Sequence, residues 1–257
     1  MLSYFYRSVT AFKLESNPAM KLDILAIGAH PDDVELSCAG TLIKHISSGK
    51  SVGLLDLTLG ELGTRGDAKT RSAEAADAAK ILNASVREQL KMKDGFFEAS
   101  EENLRLLIVQ IRKFQPEIIL CNAVTDRHPD HGRAASLVSH AVFLAGLRKI
   151  ETTWQEKSQA PWKTKATYHY IQDRHIKPDF IVDVTAEWDQ KMKSILAYRS
   201  QFFNPESKEP DTAISTKDFI EFLEGRAREV GRPAGFRYGE GFTVERIPGI
   251  NSLFDLS

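Results

Sequence analysis

The chain alternates short apolar runs with stretches in which apolar residues recur every three or four positions. The apolar runs predict buried strands at 22–28, 51–58 and 117–122, with a further short strand near 86–92. The helical spacing predicts amphipathic helices near 39–49, 70–82, 104–114 and 132–147. Strands that alternate with helices in this way are typical of a parallel sheet with crossover helices.

After residue 150, the alternation of strand and helix patterns becomes less regular. Two strands are predicted at 164–171 and 179–185, and two helices at 186–200 and 216–230. The segment 231–242, "GRPAGFRYGEGF", is rich in glycine and aromatic residues, so its composition predicts a loop. The predicted fold class is therefore α/β, a Rossmann-like doubly wound, mostly parallel sheet with an elaborated C-terminal part.

No linker or internal repeat divides the chain, so we expect a single domain over residues 20–257. Residues 1–19 show no apolar period, and they lack the compact apolar core and small-residue cleavage site of a signal peptide. We expect these residues to be a disordered extension ahead of Met20, the natural start, after which the first apolar run begins.

Composition narrows the classes of function. Of the 257 residues, 42% are hydrophobic and 27% are charged, which is a globular composition. The net charge is −1 and no block of like charge occurs, so the sequence offers no basic surface for nucleic acid or for a membrane. No apolar run reaches the length of a membrane span. Two cysteines, Cys38 and Cys121, make no disulfide framework and fit a reducing cytoplasm.

Two polar motifs follow two of the buried strands at the points where those strands end. The first strand is followed by "AHPDDVE", and the strand at 117–122 is followed by "TDRHPDH". In the usual strand order 3-2-1-4-5 of a doubly wound sheet, these two strands are neighbours at the switch point, where ligands bind. The sequence therefore predicts that two His/Asp clusters, far apart in the chain, meet in one crevice.

The residue types in these motifs predict a metal site. His30 and Asp33 are three residues apart on a turn, and His131 adds a second imidazole, which leaves one position open to water. Three protein ligands are typical of catalytic zinc, and nitrogen and oxygen ligands without thiolate also suit Fe²⁺, Co²⁺ or Mn²⁺. Asp-rich turns also cap helices, so the metal hypothesis depends on both motifs occurring together.

Three further residues of the motifs are placed to move or orient protons. Asp32 lies between predicted ligands and can accept a proton from a water that the metal activates. His128 can stabilise an oxyanion or protonate a leaving group. Asp130 can orient an imidazole as a hydrogen-bond acceptor.

The loop "LGELGTRGDAKTR" follows the second strand and flanks the same crevice. Its Arg65 and Arg71 can form paired hydrogen bonds with a polar or anionic group of a substrate. Each can equally be a solvated surface cation, and Arg71 can pair with Glu74 or Asp77 at helical spacing.

Together, "AHPDDVE", "GTRGD" with the following Arg71, and "RHPDH" resemble the LmbE/PIG-L family of metal-dependent N-acetylglucosaminyl deacetylases. The resemblance covers about residues 21–245. Within the family, the segments "AHPDDVELSCAGT", "YRSQF" and "YGEGF" are most similar to the deacetylase branch of bacillithiol biosynthesis.

The resemblance implies zinc ligation by three residues: His30, Asp33 and His131. It makes Asp32 the general base and His128 the electrophile and general acid beside the tetrahedral intermediate, with Asp130 as the partner or neighbour of His128. It also makes Arg71 an arginine that contacts sugar hydroxyls.

The reaction that the resemblance implies is removal of the N-acetyl group from a GlcNAc glycoside, which in the bacillithiol branch is GlcNAc-malate. The malate carboxylates need cationic partners, for which Arg65 and Arg226–Arg228 are candidates. Alternatives are a deacetylase of another amino sugar, such as a chitin fragment or a GlcNAc-inositol, and a zinc-binding protein without turnover. The resemblance further implies a cytoplasmic homo-oligomer, with a hexamer as one form, that acts on a small amino sugar.

Overall fold

The computed structural model describes residues 20–255, so the expected disordered extension at 1–19 lies outside the described residues. The strands are β1 (Ile24–Gly28), β2 (Val52–Asp56), β3 (Val86–Gln89), β4 (Ile118–Cys121), β5 (Thr153–Trp154), β6 (Lys157–Ser158), β7 (Ala166–Tyr170), β8 (Phe180–Asp183) and β9 (Gly239–Val244). The α-helices are α1 (Asp33–Ser47), α2 (Ala68–Leu82), α3 (Glu101–Phe114), α4 (Pro129–Ala145), α5 (Trp188–Ile195) and α6 (Lys217–Gly231).

One large sheet forms the centre of the fold, with the strand order β3-β2-β1-β4-β7-β9-β8. β1 pairs in parallel with β2 on one side and with β4 on the other, and β7 continues the parallel run. The predicted doubly wound, mostly parallel α/β class is therefore confirmed. Because Ile24 lies opposite both Val52 and Ile118, the carboxyl ends of β1 and β4 lie side by side.

β1 shows why the central strands appear in the sequence as unbroken apolar runs. Leu25 and Ile27 point into the core cluster that contains α3 and α4, whereas Ile24 and Ala26 point into the cluster that contains α1. All four are buried, because helices cover both faces of the sheet. Burial of each large aliphatic side chain contributes roughly 1.5–3 kcal/mol to folding.

The C-terminal part departs from the sequence prediction at β9. The segment 231–242 is predicted to be a loop, but its end forms β9, which lies between β7 and β8 and is antiparallel to both. Glycine is needed there for close packing, since a Cβ atom on Gly239 would lie 2.6 Å from the Cα atom of Gly231 in α6. The glycines that suggested a loop therefore allow a strand to pack against a helix.

Two other differences are smaller. The helix predicted at 186–200 ends earlier, as α5, because the chain turns so that the Ser200 N–H donates to Glu74 Oε1 at 2.7 Å. β5 and β6 form a small antiparallel pair apart from the main sheet, in a segment with no predicted element. Cys38 and Cys121 are free and buried. Within residues 20–255, no helix combines the length and apolar character needed to cross a membrane.

Candidate active site

A cavity of about 390 Å³ opens at the carboxyl ends of β1 and β4. Its walls include residues of both sequence motifs, namely His30, Asp32, Asp33, His128 and His131. The ring centroid of His30 is 4.7 Å from that of His128 and 5.7 Å from that of His131. The fold therefore brings the two His/Asp clusters into contact.

The turn after β1 contains a residue in an unusual backbone conformation. Asp32 has a φ of 109°, in the left-handed region that side-chain-bearing residues rarely adopt. It stands immediately before α1, yet its side chain makes no hydrogen bond that caps the helix. The neighbouring carboxylates consequently diverge, with Asp33 facing His131 and Asp32 facing Arg71.

The turn after β4 enters α4 through a histidine cap. Pro129 is the first residue of α4, a position where its missing N–H is not needed. Nδ1 of His128 accepts the N–H of Asp130 at 3.3 Å, so the ring caps the helix. One turn along, the ring of His131 stacks on that of His128 with centroids 5.2 Å apart. The residue that caps α4 is therefore a histidine, where the sequence suggested an aspartate, and this histidine also lines the cavity.

Asp33 lies between the two predicted imidazole ligands. Its Oδ1 is 3.1 Å from Nε2 of His131, and its Oδ2 is 3.7 Å from Nδ1 of His30. All three residues are 3–9% exposed. The ligand atoms of His30, His128 and His131 lie within 4.8 Å of one another, and so do those of His30, Asp94 and Asp130, so the geometry offers two other possible trios.

His30 and His131 each have a carboxylate at the nitrogen that faces away from Asp33. Nε2 of His30 is 3.0 Å from Oδ1 of Asp94, and Nδ1 of His131 is 2.5 Å from Oδ2 of Asp126. Carboxylates in this position fix the tautomer and orientation of metal-ligating histidines. His128 has no such carboxylate, because its Nδ1 accepts the backbone N–H of Asp130. This difference favours His30, Asp33 and His131 as the metal-binding trio.

The cluster favours positive charge at its centre. Burial opposes charge on His30, but hydrogen bonds with Asp130 and Asp94 raise the pKa of His30 to about 10. Burial likewise opposes charge on His131, where Asp33 and Asp126 raise its pKa to about 9. Carboxylates that stabilise a proton on each ring also stabilise a divalent cation between the rings, so these residues fit a metal ion.

Asp32 forms a buried ion pair with Arg71, whose Nη2 lies 2.9 Å from Oδ2. Arg71 also donates to the carbonyl oxygens of Pro31 at 2.6 Å and Gly60 at 3.0 Å. Burial raises the pKa of Asp32 to about 7, against the opposing effect of Arg71. The suggested pairing of Arg71 with Glu74 or Asp77 is wrong, since Asp32 holds its guanidinium.

His128 is the neutral imidazole of the cluster. Burial, together with the neighbouring rings of His30 and His131, lowers the pKa of His128. Because its Nδ1 accepts a backbone N–H, the proton of the neutral ring resides on Nε2. His128 can therefore donate a hydrogen bond in the cavity that it lines.

Asp130 has a different partner from the one expected. Its Oδ2 lies 3.4 Å from Nε2 of His30 and accepts the N–H of Gly95 at 2.9 Å. Its Oδ1 pairs with Arg133 at 2.6 Å. The carboxylate therefore supports His30, while only the backbone N–H of Asp130 contacts the ring of His128.

Arg65 is buried away from the cavity wall, beneath residues 204–215, which we call the strap. Its Nη2 donates to Oγ of Ser207, and the N–H of Gly66 donates to Oε1 of Glu209 at 2.9 Å. The carbonyl of Arg65 accepts from Nε2 of Gln201 at 2.6 Å. Arg65 thus joins its loop to the strap, which differs from the predicted contact with substrate.

The other candidate cations for a substrate anion also have partners within the protein. Arg226 donates to the carbonyl oxygens of Gln172 and Leu36. Arg228 pairs with Glu224 at 2.7 Å.

Three charged residues of the site were not predicted from the sequence: Asp94, Asp126 and Arg127. Asp126 and Arg127 lie within the motif "TDRHPDH", so their proximity was available from the sequence. Asp94 follows β3, a third strand whose carboxyl end opens on the same edge of the sheet. Arg127 lines the cavity with a half-exposed side chain, and its Nε lies 2.7 Å from Oδ2 of Asp173.

The fold and the site define an α/β protein with a His/Asp cluster at the switch point of its sheet. The family model PIG-L, described as GlcNAc-PI de-N-acetylase, matches residues 25–142. The solved structure of the conserved protein TT1542 from Thermus thermophilus superimposes with a TM-score of 0.80 at 34% identity. That match covers 91% of this chain and 98% of the other.

Two curated relatives have named activities. Diacetylchitobiose deacetylase from Thermococcus kodakarensis is 29% identical over 241 residues, 88% of this chain and 84% of its own. The 4-oxalmesaconate hydratase from Pseudomonas putida is 27% identical over 190 residues, 69% of this chain and 73% of its own. The chain belongs to the PIG-L family, as the sequence motifs indicated.

Proposed function

We propose that the protein is a metal-dependent N-deacetylase of a GlcNAc glycoside, and that its substrate is GlcNAc-malate. The observation that carries this proposal is the arrangement of Asp33 between two imidazoles, each supported by a carboxylate, beside Asp32 and His128 in one cavity. This arrangement supplies a cation site, a base and a hydrogen-bond donor, which amide hydrolysis requires.

His30, Asp33 and His131 would hold the metal ion, which we propose to be Zn²⁺, with Fe²⁺ or another divalent transition metal as the alternative. When bound, such an ion polarises an acyl oxygen and lowers the pKa of water. Asp94 and Asp130 orient His30 toward the site, and Asp126 does the same for His131.

Asp32 is the proposed general base. It accepts a proton from the water whose oxygen bonds to the acetamide carbon, and its pKa of about 7 suits that role. His128 stabilises the negative charge that develops on the acyl oxygen by donating from Nε2. When the C–N bond breaks, Asp32 or His128 supplies the proton that the amine needs, and acetate is released.

The position of Arg127 supports an anionic aglycone. Arg127 lines the cavity next to His128, and its side chain is 54% exposed. Its Nε pairs with Asp173 at 2.7 Å, and the two Nη groups of a guanidinium in that position can form paired hydrogen bonds with a malate carboxylate. A chitin fragment, as for the relative from Thermococcus kodakarensis, or a GlcNAc-inositol is the alternative substrate.

The test compares acetate release from GlcNAc-malate, diacetylchitobiose and a GlcNAc-inositol, with and without a chelator. We expect GlcNAc-malate to react fastest, activity to disappear on metal removal and Zn²⁺ to restore it. Asp32→Asn should slow turnover by about 10²–10⁴-fold with metal content retained. Asp77→Asn, at an exposed residue paired with Lys80, is the matched control and should leave the rate unchanged.

Three results would contradict the proposal. Acetate release that survives complete metal removal would exclude the metal-dependent mechanism. Hydration of 4-oxalmesaconate without deacetylation of any amino sugar would indicate the activity of the hydratase relative. Binding of stoichiometric zinc without any turnover would favour a zinc-binding protein. The single domain over residues 20–257, the cytoplasmic location and the homo-oligomer, possible as a hexamer, stay predictions.

A further inference from the structure

Two buried carboxamides, from the ends of β4 and β7, donate hydrogen bonds to the carboxylate of Asp33. Asn122 directly follows β4 and is 0% exposed, and Gln172 follows β7 and is 5% exposed. Nδ2 of Asn122 donates to Oδ2 of Asp33 at 2.9 Å, and Nε2 of Gln172 donates to Oδ1 at 3.2 Å. Each carboxylate oxygen of Asp33 therefore has its own neutral donor.

Backbone N–H groups determine which way both amides face. The N–H of Ala29 donates to Oδ1 of Asn122 at 2.9 Å, and the N–H of Ala123 donates to Oε1 of Gln172 at 3.2 Å. Nδ2 of Asn122 also donates to Oε1 of Gln172 at 3.0 Å. If either amide were rotated by 180°, its amino group would face the backbone N–H that now donates to its oxygen, and two donors would oppose each other. The amino groups of both residues must therefore point at Asp33.

The two aspartates of the "HPDD" turn are thus held by different chemistry. Asp32 is held by the charged guanidinium of Arg71, which offsets its negative charge. Asp33 is held by two neutral amides and by the backbone N–H of His30, which donates to Oδ2 at 3.0 Å; these neutral donors fix the plane of the carboxylate and leave its full negative charge available. Neutral hydrogen-bond donors orient a carboxylate without cancelling its charge, so the carboxylate can bind a cation in a defined direction.

We propose that Asn122 and Gln172 are positioning residues that hold Asp33 in the orientation for metal binding. The proposal rests on the proposed function insofar as Asp33 is a ligand. Loss of either amide should weaken metal binding, because the freed carboxylate can rotate away from His131. Neither residue lines the cavity as an acid or a base, so their effect passes through Asp33.

The experiment measures the dissociation constant for Zn²⁺ by competition with a chromophoric chelator. Gln172→Met and Asn122→Leu replace each amide by an apolar side chain of similar size. We expect both to weaken Zn²⁺ binding by about 10–100-fold. Gln159→Met is the matched control, because the amide of Gln159 donates to the Val109 carbonyl at 3.0 Å, outside the cluster. It should bind Zn²⁺ as the unmodified protein does.

Two further measurements separate positioning from general stability. Co²⁺ bound in place of Zn²⁺ should give an altered d–d absorption spectrum in Gln172→Met, whereas a purely structural role leaves the spectrum unchanged. Gln172→Asn keeps the amide on a shorter side chain, so it should fold readily and weaken binding less than Gln172→Met.

The outcomes are distinguishable. If the unmodified protein binds Zn²⁺ tightly and the Asn122 and Gln172 variants bind it as tightly as the Gln159 control, the inference is overturned and the proposed function stands. If the unmodified protein binds no stoichiometric Zn²⁺, Co²⁺ or Fe²⁺, the metal-dependent function fails, and the positioning role fails with it.

Discussion

Nη2 of Arg71 lies 2.9 Å from Oδ2 of Asp32 and 2.6 Å from the carbonyl oxygen of the preceding residue, Pro31. One nitrogen of Arg71 therefore donates both to the carboxylate of Asp32 and to the peptide group that precedes Asp32, the residue with the left-handed backbone conformation. The ion pair is buried on both sides. The direction in which the Asp32 carboxylate points thus depends on an arginine from a different loop and helix.

We expect Arg71→Lys to lower kcat about tenfold or more with metal content unchanged. A lysine ammonium cannot reproduce the planar fork that reaches Asp32, Pro31 and Gly60 together.

Arg71→Ala leaves a buried carboxylate unpaired, which should lower the free energy of unfolding by ~3–5 kcal/mol. Steady-state kinetics and urea unfolding measure the two effects, and Lys80→Ala, which removes an exposed pair with Asp77, is the control. An unchanged kcat in Arg71→Lys would show that the ion pair does not position the base.

Arg127 should distinguish anionic from neutral substrates. We expect Arg127→Gln to raise KM for GlcNAc-malate about tenfold, because a charged hydrogen bond of ~1.5–3 kcal/mol is lost. KM for GlcNAc itself should not change. Arg148→Gln, at an exposed arginine beyond α4, is the control. Equal effects of Arg127→Gln on both substrates would mean that the aglycone is not bound through this cation.

The bonds between the Arg65 loop and the strap should hold the cavity wall in place. We expect Arg65→Ala to raise KM and to speed proteolytic cleavage within 204–215, since the bonds of Arg65 to Ser207 and of its loop to Glu209 tie the two segments together. Glu209→Gln should have the same effect at about half the size or less. Glu206→Gln, at an exposed residue of the strap, should behave as the unmodified protein. If cleavage rates match in all variants, Arg65 does not secure the strap.

His169 should make stability depend on pH in the alkaline range. Its ring faces Cys121 Sγ at 3.3 Å, the Asn122 carbonyl at 2.8 Å and Glu245 Oε1 at 3.1 Å. Burial opposes charge on the ring, but the contacts with Cys121 and Glu245 raise the pKa of His169 to about 10. A pKa raised on folding gives stability that is complete below the unfolded value of about 6.5. That stability is lost as the pH rises through about 10.

The measurement is the free energy of unfolding between pH 6 and 10.5, compared with that of His169→Gln. We expect the unmodified protein to exceed the variant by ~2 kcal/mol at pH 6 to 7, and the difference to shrink toward pH 10. His140→Gln, at an exposed histidine of α4, is the control. A difference that stays constant with pH would show that His169 stabilises the fold without carrying a proton.

The adjacency of β1 and β4 was predicted from the usual strand order of a doubly wound sheet, and the His/Asp motif after each strand marked the crevice between them. The motifs are local patterns, and a parallel sheet converts them into one site. β9 was missed because its glycines are explained only by the approach of α6, which the local pattern does not contain. Asp94 was missed because a single aspartate after a short strand resembles an ordinary turn.

The arginines show the same limit. Arg71 lines the cavity and Arg65 does not, and the partners of both are carbonyl oxygens and side chains from distant segments. No local pattern distinguishes an arginine that binds a substrate from one that binds a backbone carbonyl. For Arg65, the role becomes clear only from the packing of the strap over loop 59–66, which surrounds its guanidinium with protein partners.

The strap lies far along the chain from the loops that carry His30, Asp33 and His131, and it contributes Thr212, Ala213 and Ile214 to the cavity wall. Insertions and substitutions in it can therefore accumulate during evolution without disturbing the cation site. Changes in this segment therefore reshape one part of the cavity wall and leave the His/Asp cluster and Arg127 in place.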